Sequence, residues 1–88
     1  MSRERIPRWR PGYRFQWEPA QEAFVLLYPE GMVRLNDGAG MVGELIDGQR
    51  SIAQIITTLS DEFPDEDIGG DVDDFMQVAH EKHWLQFA

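Results

Sequence analysis

The feature that most narrows the fold is a helix with both ends written into the chain. Ser51 and Gln54 stand at capping-box spacing, and Pro64 bars continuation. Between them Ile52, Ile55, Ile56, Leu59 and Phe63 fall at the i, i+3, i+4, i+7, i+11 positions of one buried face. Just upstream, Asp47-Gly48 ends a preceding helix, with Gly48 suited to a left-handed cap. Asn36 or Asp37 can start that helix by accepting an orphan N–H. Further back, Pro29-Glu30-Gly31 spells a turn. Val33 and Leu35 then alternate with Met32 and Arg34, as in a half-buried strand. The stretch from Leu26 to Phe63 thus predicts a turn, a short strand and two capped helices.

The flanks extend this plan. Tyr13, Phe15 and Trp17 alternate with Arg14 and Gln16, which predicts a strand with one aromatic face inward. Glu18 to Glu22 is a turn, with Pro19 ending the strand. Phe24 to Tyr28 is apolar on both sides, as a central strand would be. Connections this short join antiparallel neighbours, so the strands form a meander with Met32–Asn36 at its edge. The helix from about Gly38 to Asp47 buries Ala39, Val42, Leu45 and Ile46. Gly38, Gly40 and Gly43 weaken it, and imply that a small residue lets another backbone come close, with a hinge as the alternative.

In the last helix Asp65 or Asp67 is the cap, and Gly69-Gly70 delay the effective start to Asp71. It ends near Lys82, with Ile68, Val72, Phe75, Met76 and Ala79 along one side. Phe75 and Met76 are about 100° apart around the axis. The run Ile68, Val72, Phe75, Ala79 puts Phe75 in the core and leaves Met76 nearer the open side. Trp84, Leu85 and Phe87 follow as a short extended tail packed on the body. The expected class is α+β and winged-helix-like: a three-stranded antiparallel β-meander followed by three α-helices. A short edge strand beside the last helix leaves a groove fit for an extended peptide.

Length and charge set further bounds. A chain of 88 residues makes one domain and buries roughly 60–65% of its unfolded surface. It has no cysteine, hence no disulfide and no thiolate metal site, which fits a cytoplasmic protein. No apolar run reaches membrane-spanning length, and the Arg-rich start lacks the apolar core of a secretory signal. The net charge is −8, unevenly spread. Arg3, Arg5, Arg8, Arg10 and Arg14 crowd the start, while eight acids lie between Asp61 and Asp74. Residues 1–12 are expected as a mobile basic arm that Trp9 anchors, and residues 13–88 as a single peptide-binding domain. The last helix carries Asp71, Asp73, Asp74 and Glu81 against Lys82, so it would repel nucleic acid phosphates. No membrane partner is expected.

Catalytic and metal signals are weak. His80 and His83 lack a cysteine and a clear third ligand, so no metal is expected. The acids of Asp65–Asp74 do not follow the calcium-loop order. No nucleophile pairs with a base by any motif, so the chain does not read as an enzyme and no cofactor is expected. Arg34, mid-strand on the expected edge, pairs either with an acid of the nearby helices or with a carboxylate on a bound peptide.

The run LLYPEGMVRLND followed by ELIDGQRSIAQII, with Asp71-Val72 and Phe75 beyond it, resembles the PqqD family of pyrroloquinoline quinone biosynthesis. The turn Pro29-Glu30-Gly31, the helix end Asp47-Gly48 and the pair Asp71-Val72 match its pattern, while the glycine-rich first helix departs from it. The resemblance implies a peptide chaperone, a domain of the RiPP recognition element type. It would bind the precursor peptide PqqA and present it to the radical SAM enzyme PqqE. It further implies that the peptide adds as a strand in a groove of Met32, Val33, Arg34 and Leu35 facing Val72, Phe75, Met76 and Ala79. An alternative is a carrier for the quinone product, stacked on Trp9, Trp17 and Trp84 with Arg34 on its carboxylates. The chain is expected as a monomer or a strand-exchanged homodimer.

Overall fold

A connection as short as Pro29-Glu30 can join only antiparallel neighbours, and the sheet is built that way. The computed structural model describes residues 2–88. In chain order it contains β1 (Pro7–Trp9), β2 (Arg14–Glu18), β3 (Ala23–Tyr28), β4 (Gly31–Arg34), α1 (Asp37–Glu44), α2 (Ile52–Glu62), α3 (Ile68–Glu81) and β5 (Leu85–Phe87). The expected α+β meander is present: β2, β3 and β4 form a three-stranded antiparallel sheet with β3 in the centre. Phe15 pairs with Leu26, and Leu26 with Val33, so these three share one face. That face meets the helices, and Leu26 is fully buried there.

The helices begin where their caps say. The Asn36 side chain accepts a hydrogen bond from the Ala39 amide at 2.8 Å. At α2 the box is reciprocal: the Gln54 amide donates to Ser51 Oγ at 3.1 Å, and the Ser51 amide to Gln54 Oε1 at 2.7 Å. Asp67 caps α3 by accepting from the Gly70 amide at 3.2 Å. The helix therefore starts at Ile68 and runs through both glycines, earlier than expected. Burial of Ile68 helps hold that first turn in place. α1 ends at Glu44, short of Asp47. Asp47 instead accepts from the amides of Gln49 and Arg50 at 2.9 and 2.8 Å, around Gly48 at φ +78°.

The glycines of α1 have a packing cause. A Cβ on Gly40 would lie 2.8 Å from the Phe24 ring, and one on Gly43 would lie 2.8 Å from the Phe15 ring. α1 thus rests directly on aromatic side chains of the sheet, rather than on another backbone. Phe15 stacks on Phe24 at 4.8 Å between centroids, and Trp9 stacks on Phe15 at 5.4 Å.

Residues 2–12, expected as a mobile arm, are docked on the body; Met1 lies outside the described residues. β1 pairs antiparallel with β5, from Pro7 opposite Phe87 to Trp9 opposite Leu85. Before it, the carbonyls of Arg5 and Arg3 accept from the Ile52 and Ala53 amides at 2.9 and 2.8 Å. Those amides are orphan donors of the first turn of α2. The Arg3 guanidinium reaches Asp73 of α3 at 2.8 Å. That hydrogen bond holds the Asp73 carboxyl below the usual carboxylate range. Trp9 does anchor the segment, as expected.

α3 is rotated relative to expectation. Met76 is 1% exposed and belongs to the core with Ile68, Val72 and Ala79, whereas Phe75 is half-buried. Val72, Met76 and Ala79 continue one face at i, i+4, i+7, and i+8 from Ile68 is Met76. Helical periodicity accepts i+7 or i+8 equally, and packing against α2, α1 and β5 selects i+8. Among the described residues no helix is long and apolar enough to cross a membrane.

Candidate functional site

β4 is short and lies at the edge of its sheet. The Leu35 amide donates to the Phe24 carbonyl at 2.9 Å, one position beyond the Val25–Arg34 pair. Antiparallel bonding alternates along a strand. Leu35, Val33 and Gly31 therefore turn their backbone groups toward β3, while Met32 and Arg34 turn theirs outward. Side chains alternate the other way, through the sheet. Val33 packs against the core and Leu35 is buried in it, whereas Met32 and Arg34 are exposed on the opposite face.

An open groove of about 960 Å³ runs between this edge and α3. Val33, Leu35, Met41, Val42, Leu59, Phe63, Val72, Phe75, Val78 and Trp84 give it an apolar floor and walls. Its polar margin comes from Arg34, Asn36, Asp37, Glu66, Asp71 and Asp74. The α3 wall is one stripe: Asp71, Asp74, Phe75 and Val78 fall at i, i+3, i+4 and i+7 and share a side. Val78 is 43% exposed there. Among the described residues neither Arg34 nor these acids form an ion pair.

Of the residues expected in the groove, Val33, Leu35, Val72 and Phe75 line it, and Arg34 borders it from the outer face of β4. Met32, on the same outer face two residues earlier, does not. Met76 and Ala79 do not, because the rotation of α3 puts them in the core. The sequence reading missed Met41, Phe63, Val78 and Trp84. Val78 was findable as the residue three beyond Phe75; the others come from α1, the end of α2 and the segment between α3 and β5, whose approach depends on packing.

The three tryptophans do not converge. Trp84 lines the groove, Trp9 stacks on Phe15, and Trp17 is 51% exposed with its ring edge-on to Phe24 at 5.2 Å. The His80 ring meets Phe87 edge-on at 5.7 Å. Among the described residues no three His, Cys, Asp or Glu side chains group as metal ligands.

Comparison with known proteins adds relatives. The family model described as coenzyme PQQ synthesis protein D (PqqD) matches residues 23–85. A PqqA binding protein of Pseudomonas entomophila (strain L48) is 56% identical over 88 residues, covering 99% of this chain and 97% of the relative. Another, from Pseudomonas syringae pv. tomato, is 61% identical over 80 residues, covering 90% and 82%. Among solved structures, the solution structure of the PqqD truncation of Methylobacterium extorquens PqqCD superposes with a TM-score of 0.72 at 28% identity. It covers 92% of this chain and 88% of that one, and it represents a stand-alone RiPP recognition element. The crystal structure of PqqD from Xanthomonas campestris gives a TM-score of 0.59 at 39% identity, covering 98% of both chains.

Proposed function

The chain belongs to the PqqD family, and from that premise we propose that it is a peptide chaperone for the precursor peptide PqqA. The peptide adds as a strand along β4, under the apolar wall of α3. The observation that carries this is the open edge of β4: outward-facing backbone groups at Met32 and Arg34 border an apolar groove. Main-chain hydrogen bonds to such an edge supply affinity, and the groove supplies side-chain contacts. The relatives named as PqqA binding proteins support the choice of peptide. Presentation of the bound peptide to the radical enzyme PqqE is part of this proposal. So is a location in the cytoplasm, which a cysteine-free composition suits.

A disordered peptide loses entropy when it orders, so the expected affinity is about micromolar or somewhat better, near −8 kcal/mol. Titrating isotope-labelled protein with synthetic PqqA tests the site. The largest amide shifts are expected at Met32–Arg34 and along Phe75 and Val78. Shifts concentrated instead on β2, or on β1 and β5, would place the peptide elsewhere.

A further inference from the structure

The edge strand and the groove wall carry opposite charge, and they face opposite sides of any strand added to β4. Arg34 projects from the outer face of the sheet, exposed and without an ion pair among the described residues. Met32, two residues away on the same face, is 42% exposed. The groove side is bounded by Asp71 and Asp74 of α3.

We propose that this charge division sets the register of the bound peptide. A carboxylate-bearing peptide residue lies across from Arg34 on the outer face, with an apolar residue two positions along against Met32. The peptide residue between them turns an apolar side chain into the groove beside Val33 and Phe75. The inference rests on strand addition at β4.

The physical reason is the two-residue period of a strand. A slip by one residue sends every side chain to the other face. In the favoured register the peptide carboxylate meets a guanidinium at cross-strand distance. After a one-residue slip the same carboxylate enters the groove and faces Asp71 and Asp74, where like charges repel. Backbone hydrogen bonding alone would accept several registers. Charge on the two faces makes one of them preferred, so a defined segment of the peptide is held and a defined remainder is left free.

The test is a double-mutant cycle between protein and peptide. Each Asp or Glu of synthetic PqqA is changed in turn to its amide and titrated against the wild-type chain and Arg34→Gln. One amide peptide should bind wild type about threefold to fivefold more weakly, and should show no further loss on Arg34→Gln. A peptide whose carboxylate is moved by one position should bind Asp71→Asn/Asp74→Asn better than wild type. Amide spectra of the wild-type complex separate the two levels of the argument. If β4 amides shift but no peptide carboxylate couples to Arg34, register selection by charge is overturned and strand addition stands. If β4 amides do not shift, strand addition fails and the inference fails with it.

Discussion

Phe75 and Met76 divide the work of α3 between them. Met76 is enclosed by core side chains, so Met76→Ala removes buried contacts and leaves a cavity. The expected loss is about 2–5 kcal/mol, a large part of the stability of so small a domain. Phe75 is half-buried at the groove, so Phe75→Ala should cost less stability. It should weaken PqqA binding by about tenfold, as for an aromatic anchor in an interface. Urea unfolding and peptide calorimetry on the two variants check this. Loss of binding with unchanged stability in Met76→Ala would show that α3 is rotated the other way. Sequence reasoning named both residues and exchanged their roles, because adjacent helical positions differ by only about 100°.

At the level of elements, α1 shows why a weak helix can be the right one. Alanine normally improves a helix by about 1 kcal/mol over glycine. At Gly43 the added methyl would press into the Phe15 ring at 2.8 Å. Overpacking of this kind costs about 1–3 kcal/mol, so Gly43→Ala should be destabilising on balance. Gly38 is the control, since a Cβ there meets only the Asn36 side-chain oxygen at 3.7 Å. Gly38→Ala should be neutral or stabilising by about 0.5 kcal/mol. Chemical denaturation of both variants tests the contrast. The helix starts, by contrast, are partly legible in the sequence: it names Ser51 as the cap of α2 and leaves Asn36 and Asp67 each as one of two candidates, because such caps act through side chains a few atoms from the amides they satisfy.

For the whole molecule, the first residues join the two ends of the chain and two helices. Deleting residues 2–9 removes β1, the carbonyls that meet the start of α2, and the half-buried Trp9. Thermal melts should fall by about 10–20 °C, given roughly 2–4 kcal/mol lost from a domain of this size. A melt unchanged by the deletion would mean the segment adds nothing to the fold. The Arg3–Asp73 pair gives this docking a pH dependence. Asp73 has a lowered folded-state pKa, chiefly through the Arg3 hydrogen bond. Its contribution is therefore present above the unfolded carboxylate value of about 3.9 and lost as pH falls through the lower folded value. Both side chains are about half-exposed, so the effect is small. Acid unfolding of Arg3→Ala should lack the part of the pH dependence that Asp73 supplies.

What the sequence determined by itself was local. The turn at Pro29-Glu30, the capping box of α2, the apolar stripe from Ile52 to Leu59 and the edge position of β4 all follow from residues close together in the chain. Each is settled within a few bonds by backbone geometry or one side-chain hydrogen bond. Tertiary structure decided the rest. The pairing of Pro7–Trp9 with Leu85–Phe87 joins opposite ends of the chain. A three-residue strand is too short to show a period, so nothing local announces it. The rotation of α3, which places Phe75 in the groove and Met76 in the core, depends on which of two equally periodic faces fits α1, α2 and β5. The contact of Gly40 and Gly43 with Phe24 and Phe15 exists only once α1 lies on the meander. These are choices among locally equivalent conformations, and only packing distinguishes them.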